Sequence, residues 1–295
     1  MRRRLIRTVL AVALAVGGIG GIAVGSTANA APAAGGYDNP SCHPSAAHPS
    51  PVVLLHGLGG NGPGNVGPIA LQLAAAGYCT FDLTYGEEAP GIPVGGLIDV
   101  DQSAQQIKAF IEQVRAETGA AKVDIVGHSE GGFQSLYIPK ELGIAGEIDK
   151  VVALAPPTHG TTFAGLVSVA NTLQLRQLVD QVLQQYGCPA CDELITGGSG
   201  VTKLDSGPIA QPGVSYTVIA SRSDELVTPH QSATTPETAF INEPGVTNEY
   251  VQDKCPFDPV GHIGLAYDLD VENMIANALD PAHAGPVICS FGPTF

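Results

Sequence analysis

Short runs of consecutive apolar residues alternate along this chain with longer segments in which apolar residues recur every three or four positions. PVVLLHG (51–57), CTFDLTYG (79–86), VDIVG (123–127), DKVVALAP (149–156) and SYTVIAS (215–221) are of the first kind. They read as strands buried on both faces. VGPIALQLAAAG (66–77) reads as a helix between the first two. Val100, Ala104, Ile107, Ile111 and Val114 mark one face of an amphipathic helix that Gly119 closes. GFQSLYIPKEL (132–142) and DLDVENMIANAL (268–279) read as further helices. Continuous apolar strands alternating with helices predict an α/β fold, a mostly parallel central sheet flanked by helices on both faces.

Two stretches depart from this rhythm. Residues 160–200 separate strands that should follow closely, and FAGLVSVANTLQLRQLVDQVLQQYG (163–187) within them has more apolar residues than one helical face needs. It reads either as an ordinary crossover helix or as a helical cap or lid bordering a substrate mouth. Residues 228–248 are rich in Pro, Thr and Asn and read as a long loop.

The N-terminus has its own logic. MRRRLIR is followed by the apolar TVLAVALAVGGIGGIAVG and then by Ala28-Asn29-Ala30. A cationic start, an apolar run and an A-x-A site predict a cleaved secretory signal over residues 1–30. Residues 31–50 read as an extended lead-in and residues 51–295 as the catalytic domain. Cleavage after Ala30 removes four of the 13 basic residues and none of the 28 acidic ones, taking the net charge from −15 to −19. So acidic a surface argues against nucleic acid as a partner. No later stretch is long and apolar enough to span a bilayer. Six cysteines in an exported chain favour three disulfides.

GHSEGG (127–132) carries the candidate chemistry. G-x-S-x-G is weak evidence in a chain with 37 glycines. Here, however, a strand leads directly into it and a helix leads out, the setting of a nucleophile elbow, so Ser129 is the candidate nucleophile. A serine needs a base, and the base an acid that fixes its tautomer. On this fold they follow in the order Ser, Asp/Glu, His. Asp224, just after SYTVIAS, is the candidate acid, with Glu225 as its rival. Chain order sets aside His43, His48, His56, His128 and His159, and His230 lies too close to Asp224 to come off another strand. Of the remaining two, His262 in DPVGHIGLAYD, after the strand-like NEYVQDKC and before a helix, is preferred to His283, which follows the last helix. The oxyanion donors are expected to be the backbone amides of Glu130, next to the nucleophile, and Leu58 in HGLGGNG.

PVVLLHGLGGNGPGNVGPIALQLAAAGYCTFDLTYG, VDIVGHSEGG, VVALAPPTHGTTFAG and SRSDELVTP together resemble the secreted class 2 lipases of actinobacteria and, more distantly, Candida antarctica lipase B. The resemblance spans roughly residues 50–290. It implies an α/β-hydrolase that cleaves carboxylic esters such as triacylglycerols without metal or organic cofactor, with Ser129, Asp224 and His262 as its triad. It also suggests the pairs Cys42–Cys79 and Cys255–Cys289, leaving Cys188–Cys191 as a local bridge. One departure is Glu130, where the family often has Gln; an ionised carboxylate there would oppose a developing oxyanion. An extracellular, monomeric esterase or lipase is the resulting expectation. An acyltransferase or an aliphatic polyester depolymerase would use the same triad. A binding module that has lost catalysis is disfavoured by the complete Ser–Asp–His order.

Overall fold

Val52–Leu55 (β2) has no polar residue in it, and all four of its side chains are buried. Such a strand must have neighbours on both edges and layers on both faces. The computed structural model describes residues 35–88, 94–162 and 187–295. Beside β2 run β3 (Cys79–Leu83) and β4 (Val123–His128), both parallel to it. β5 (Ile148–Leu154), β6 (Ser215–Ala220) and β7 (Val246–Tyr250) extend the sheet beyond β4. The two-residue β1 (Gly36–Tyr37), from the lead-in, pairs with the outer edge of β3. The order is β1-β3-β2-β4-β5-β6-β7, and every ladder among the described residues is parallel.

The period of two sorts side chains between the faces. Val53, Leu55, Val151, Ala153, Tyr216 and Val218 point into one core layer. Val52, Leu54, Val152, Leu154 and Ile219 point into the other. The first layer is covered by α2 (Val100–Thr118) and α3 (Glu130–Glu141). In α2, Val100, Ala104, Ile107, Ile111 and Val114 are each at most 1% exposed, as the spacing predicts. The Asp99 side chain accepts from Gln102 N to start the helix, and Gly119 at φ 73° ends it. α1 (Gly67–Ala75) and the helix Leu269–Leu279 cover the second layer.

The expected loop 228–248 runs only to residue 245, where β7 begins. β7 is an edge strand whose residues are mostly half-exposed, so it lacks the apolar run that marks the central strands. NEYVQDKC is likewise a strand only as far as Tyr250. There Asp253 Oδ2 accepts from Tyr250 N at 3.2 Å, and the chain turns helical over Val251–Lys254. The secretory signal and the 163–186 part of the expected cap lie outside the described residues. Of the 160–200 stretch, Pro189–Glu193 is helical, and a second short helix begins at Ser199. No helix among the described residues is long and apolar enough to cross a membrane. Disulfides join Cys42 to Cys79, Cys188 to Cys191 and Cys255 to Cys289.

Candidate active site

The strand order reverses between β2 and β4. From β2 the chain moves outward to β3, and from β4 it moves the other way to β5. Loops leaving the carboxyl ends of these two central strands diverge and leave a crevice, the usual ligand position in an open parallel sheet. His56-Gly57-Leu58 leaves β2 at this point, and Ser129 leaves β4.

Ser129 sits at φ 56° and ψ −119°, a conformation costly for a residue with a side chain. Its neighbours make the turn possible. A Cβ on Gly127 would lie 2.1 Å from Gly131 O, and one on Gly131 would lie 2.2 Å from Leu55 O. Any other residue at either position would push the strand away from the helix. Ser129 N donates to Leu154 O at 2.8 Å, fixing the turn to β5.

Asp224 follows β6, and His262 follows β7 after the turn Val251–Lys254. Though distant in sequence, they meet Ser129: His262 Nε2 lies 2.8 Å from Ser129 Oγ, and His262 Nδ1 lies 2.6 Å from Asp224 Oδ2. A carboxylate can only accept, so Nδ1 carries the proton and Nε2 is free to accept from the serine hydroxyl. Both Asp224 and His262 are buried. Burial alone would raise the Asp224 carboxyl. The His262 imidazole beside it, with the N–H groups of Val227 and Leu226 on Oδ1, instead holds it below the usual carboxylate range. Glu225, the rival acid, turns away from the ring, its Oε2 3.5 Å from the backbone N of His262. His283 is on the surface, paired with Asp280.

The loop after β2 is held by groups that chain order had set aside. His56 is fully buried. Its Nε2 accepts from Tyr85 N at 3.2 Å, which leaves Nδ1 to donate to Gly57 O at 2.8 Å. The Tyr85 hydroxyl donates to His56 O at 2.7 Å, and the two rings stack. Burial pushes the His56 imidazole down to about 4, so it stays neutral and keeps this pattern at ordinary pH. Asn65 Oδ1 accepts from Gly57 N at 2.8 Å, and Gly59 N and Gly95 N exchange bonds with Gly95 O and Gly60 O. Leu58 is thus clamped on both sides. His128 Nε2 lies 2.9 Å from His262 O, tying the turn at Ser129 to the loop carrying His262. Sequence carried one faint signal for both imidazoles: each sits directly beside a motif residue, in HG and in GHS.

Glu130 is fully buried, and neither of its carboxyl oxygens has a hydrogen-bond partner. Its side chain lies under the Leu58 loop, with Oε2 2.2 Å from where a Cβ on Gly96 would be. Burial first, then the charge on Glu193, pushes this carboxyl well above the usual carboxylate range. A neutral acid removes the repulsion that an anion there would exert on an oxyanion. Because its folded pKa is raised, the native state keeps a proton that the unfolded chain releases as pH climbs past the ordinary glutamate value. Stability therefore falls by about 1.4 kcal/mol per pH unit above that value, until the folded group also ionises. Glu130→Gln cannot titrate. We expect its melting temperature to fall less than that of the wild type as pH rises from about 5 into the alkaline range. Turnover at neutral pH should stay within a few fold. Thermal melts and initial rates across that range check both, and a hundredfold loss of rate with an intact fold would contradict the neutral-acid account.

A seven-stranded parallel sheet between two helical layers, with a serine on the strained turn after β4, defines an α/β-hydrolase. Residues 49–255 match the family model for Lipase (class 2), and the chain belongs to that family. It is 34% identical over 175 residues to a triacylglycerol lipase of Burkholderia plantarii, covering 57% of this chain and 44% of that one. To a triacylglycerol lipase of Pseudarthrobacter phenanthrenivorans it is 32% identical over 125 residues, covering 40% of this chain and 36% of the other. The matched stretch thus spans less than half of either relative. The crystal structure of Aspergillus fumigatus lipase B superposes with a TM-score of 0.59 at 20% identity, over 81% of this chain and 54% of that one, a likeness of fold.

Proposed function

We propose that this protein is a secreted serine ester hydrolase that cleaves acyl esters such as triacylglycerols through an acyl-enzyme. The observation that carries the reading is the continuous contact from Ser129 Oγ through His262 to Asp224, at 2.8 and 2.6 Å. Ser129 Oγ attacks the ester carbonyl while its proton passes to His262 Nε2, and Asp224 stabilises the imidazolium. The carbonyl oxygen becomes an anion facing the N–H groups of Leu58 and Glu130, each worth about 3–4 kcal/mol in the transition state. Collapse expels the alcohol, which takes the proton from His262. Water, deprotonated by the same Nε2, then frees the acid and restores Ser129. None of these steps needs a metal or an organic cofactor.

The leader over residues 1–30, with residues 51–295 as the catalytic domain, fits export, as do the three disulfides. The test is turnover of p-nitrophenyl esters over a series of acyl lengths, followed by labelling with an organophosphonate and peptide mapping. Hydrolysis with a single label on Ser129 is the expected result. Absence of turnover on every chain length, or a label on another serine, would overturn the reading.

A further inference from the structure

Three acidic side chains outside the triad converge where a chain normally avoids placing them. Asp258 lies in the loop leading to His262, Asp268 caps the helix Leu269–Leu279, and Asp270 is in that helix's first turn. They are 3%, 1% and 0% exposed. One carboxylate oxygen from each lies within 4.8 Å of those of the other two. Buried carboxylates are normally paired, because an isolated buried charge costs several kcal/mol.

Here the pairing stops halfway. Asp258 Oδ1 accepts from Val260 N at 3.0 Å and Gly292 N at 2.9 Å. Asp268 Oδ1 accepts from Asp270 N and Ser290 Oγ, both at 3.0 Å, and Asp270 Oδ1 accepts from Ser290 N at 2.5 Å. The Oδ2 atom of all three is buried and receives no N–H or O–H donor from outside the cluster among the described residues. No Lys, Arg or His among the described residues answers them; Lys254, close in sequence, pairs with Glu249 at 3.2 Å. The Asp258 carboxyl lies within hydrogen-bonding reach of those of both Asp268 and Asp270, so three like groups meet at one point. Three facing carboxyls can be held together either by protons retained between them or by one cation that all three ligate.

We propose that Asp258, Asp268 and Asp270 form a structural site for a divalent hard cation, calcium by its chemistry. The site fastens both ends of the loop carrying His262 to residues 290–292. The spacing suits one ion shared at about 2.3–2.6 Å, and an all-carboxylate donor set anchored by backbone N–H groups suits calcium. Zinc would want nitrogen or sulfur, and the nearby Cys255 and Cys289 are bonded to each other. The ion lies between Asp258 and Asp268, four residues before and six after His262 in the chain. It takes no part in chemistry at Ser129. This departs from the metal-free expectation, for the framework and not for the reaction.

The test needs no activity assay. Purified full-length protein is stripped with EGTA, dialysed against calcium, and assayed by elemental analysis and thermal melting. The expected results are one calcium per chain and a melting temperature higher by about 3–5 °C at about 5 mM calcium, above the dissociation constants of extracellular calcium modules. Asp270→Asn and, separately, Asp258→Asn should lose both the bound metal and the shift. Wild-type protein that retains no calcium overturns the proposal whatever the variants do. So does an equal shift from sodium chloride at matched ionic strength, or calcium retained undiminished by folded Asp270→Asn and Asp258→Asn proteins.

Discussion

Alanine at Ser129 is expected to lower ester turnover by about 10⁶-fold while leaving the melting temperature nearly unchanged. The size of the loss follows from the arrangement: without Oγ there is no nucleophile for His262 to activate, and residual catalysis must come from substrate binding and the oxyanion donors alone. Removing the serine of a comparable triad costs roughly 10⁶ in turnover. The fold should not register the change. Ser129 adopts φ 56° because Gly127 and Gly131 let strand and helix close around it, and its backbone N is held by Leu154 O. Alanine meets the same backbone strain as serine and keeps the same backbone bonds. Initial rates on a soluble ester, with thermal melts on the same preparations, decide the matter. A loss of less than a hundredfold would place the nucleophile elsewhere.

Alanine at His262 should cost about 10⁴–10⁶-fold in turnover, whereas alanine at His283 should change it by less than twofold. The contrast is informative because chain order alone leaves both histidines eligible. His262 is buried between Asp224 and Ser129, while the side chain of His283 is 81% exposed. Loss of the imidazole also leaves the Asp224 carboxylate buried with only the N–H groups of Leu226 and Val227. His262→Ala should therefore melt at a lower temperature than the wild type, unlike Ser129→Ala. Comparable loss of turnover at both histidines would mean that the base comes from neither loop.

Ser129, Asp224 and His262 were legible as candidates because each follows a strand, and strand ends are marked by apolar runs such as VDIVG and SYTVIAS. β7 was harder to read. As an edge strand it has little apolar surface to bury, so VTNEY has no apolar run, and the strand-like NEYVQDKC (248–255) starts two residues late and runs five residues too far. His56 and His128 were passed over for a different reason. Chain order asks which histidine can serve a serine. It does not ask which can hold a loop, and that depends on burial between Tyr85, Gly57 and Asn65, groups far apart in sequence. The neutral state of Glu130 was equally out of reach, since GHSEGG does not say which way the side chain turns. The meeting of Asp258, Asp268 and Asp270 depends on the chain closing back on itself near residue 290, and no local pattern encodes that.

The lead-in has a bearing on how the protein behaves in bulk. Gly36 N donates to Tyr78 O, Asp38 N to Thr80 O, and Asp38 Oδ1 accepts from Asp82 N. A handful of residues thus occupies the outward backbone groups of β3, and Cys42–Cys79 keeps them in place. Without that bridge, Cys79–Leu83 would present an open five-residue edge, with Phe81 on it, to any similar edge nearby. Mild reduction should therefore make the preparation cloud before its ellipticity is lost, visible as light scattering that rises with protein concentration. The lead-in is in that sense a guard against self-association, and most needed wherever the protein becomes crowded.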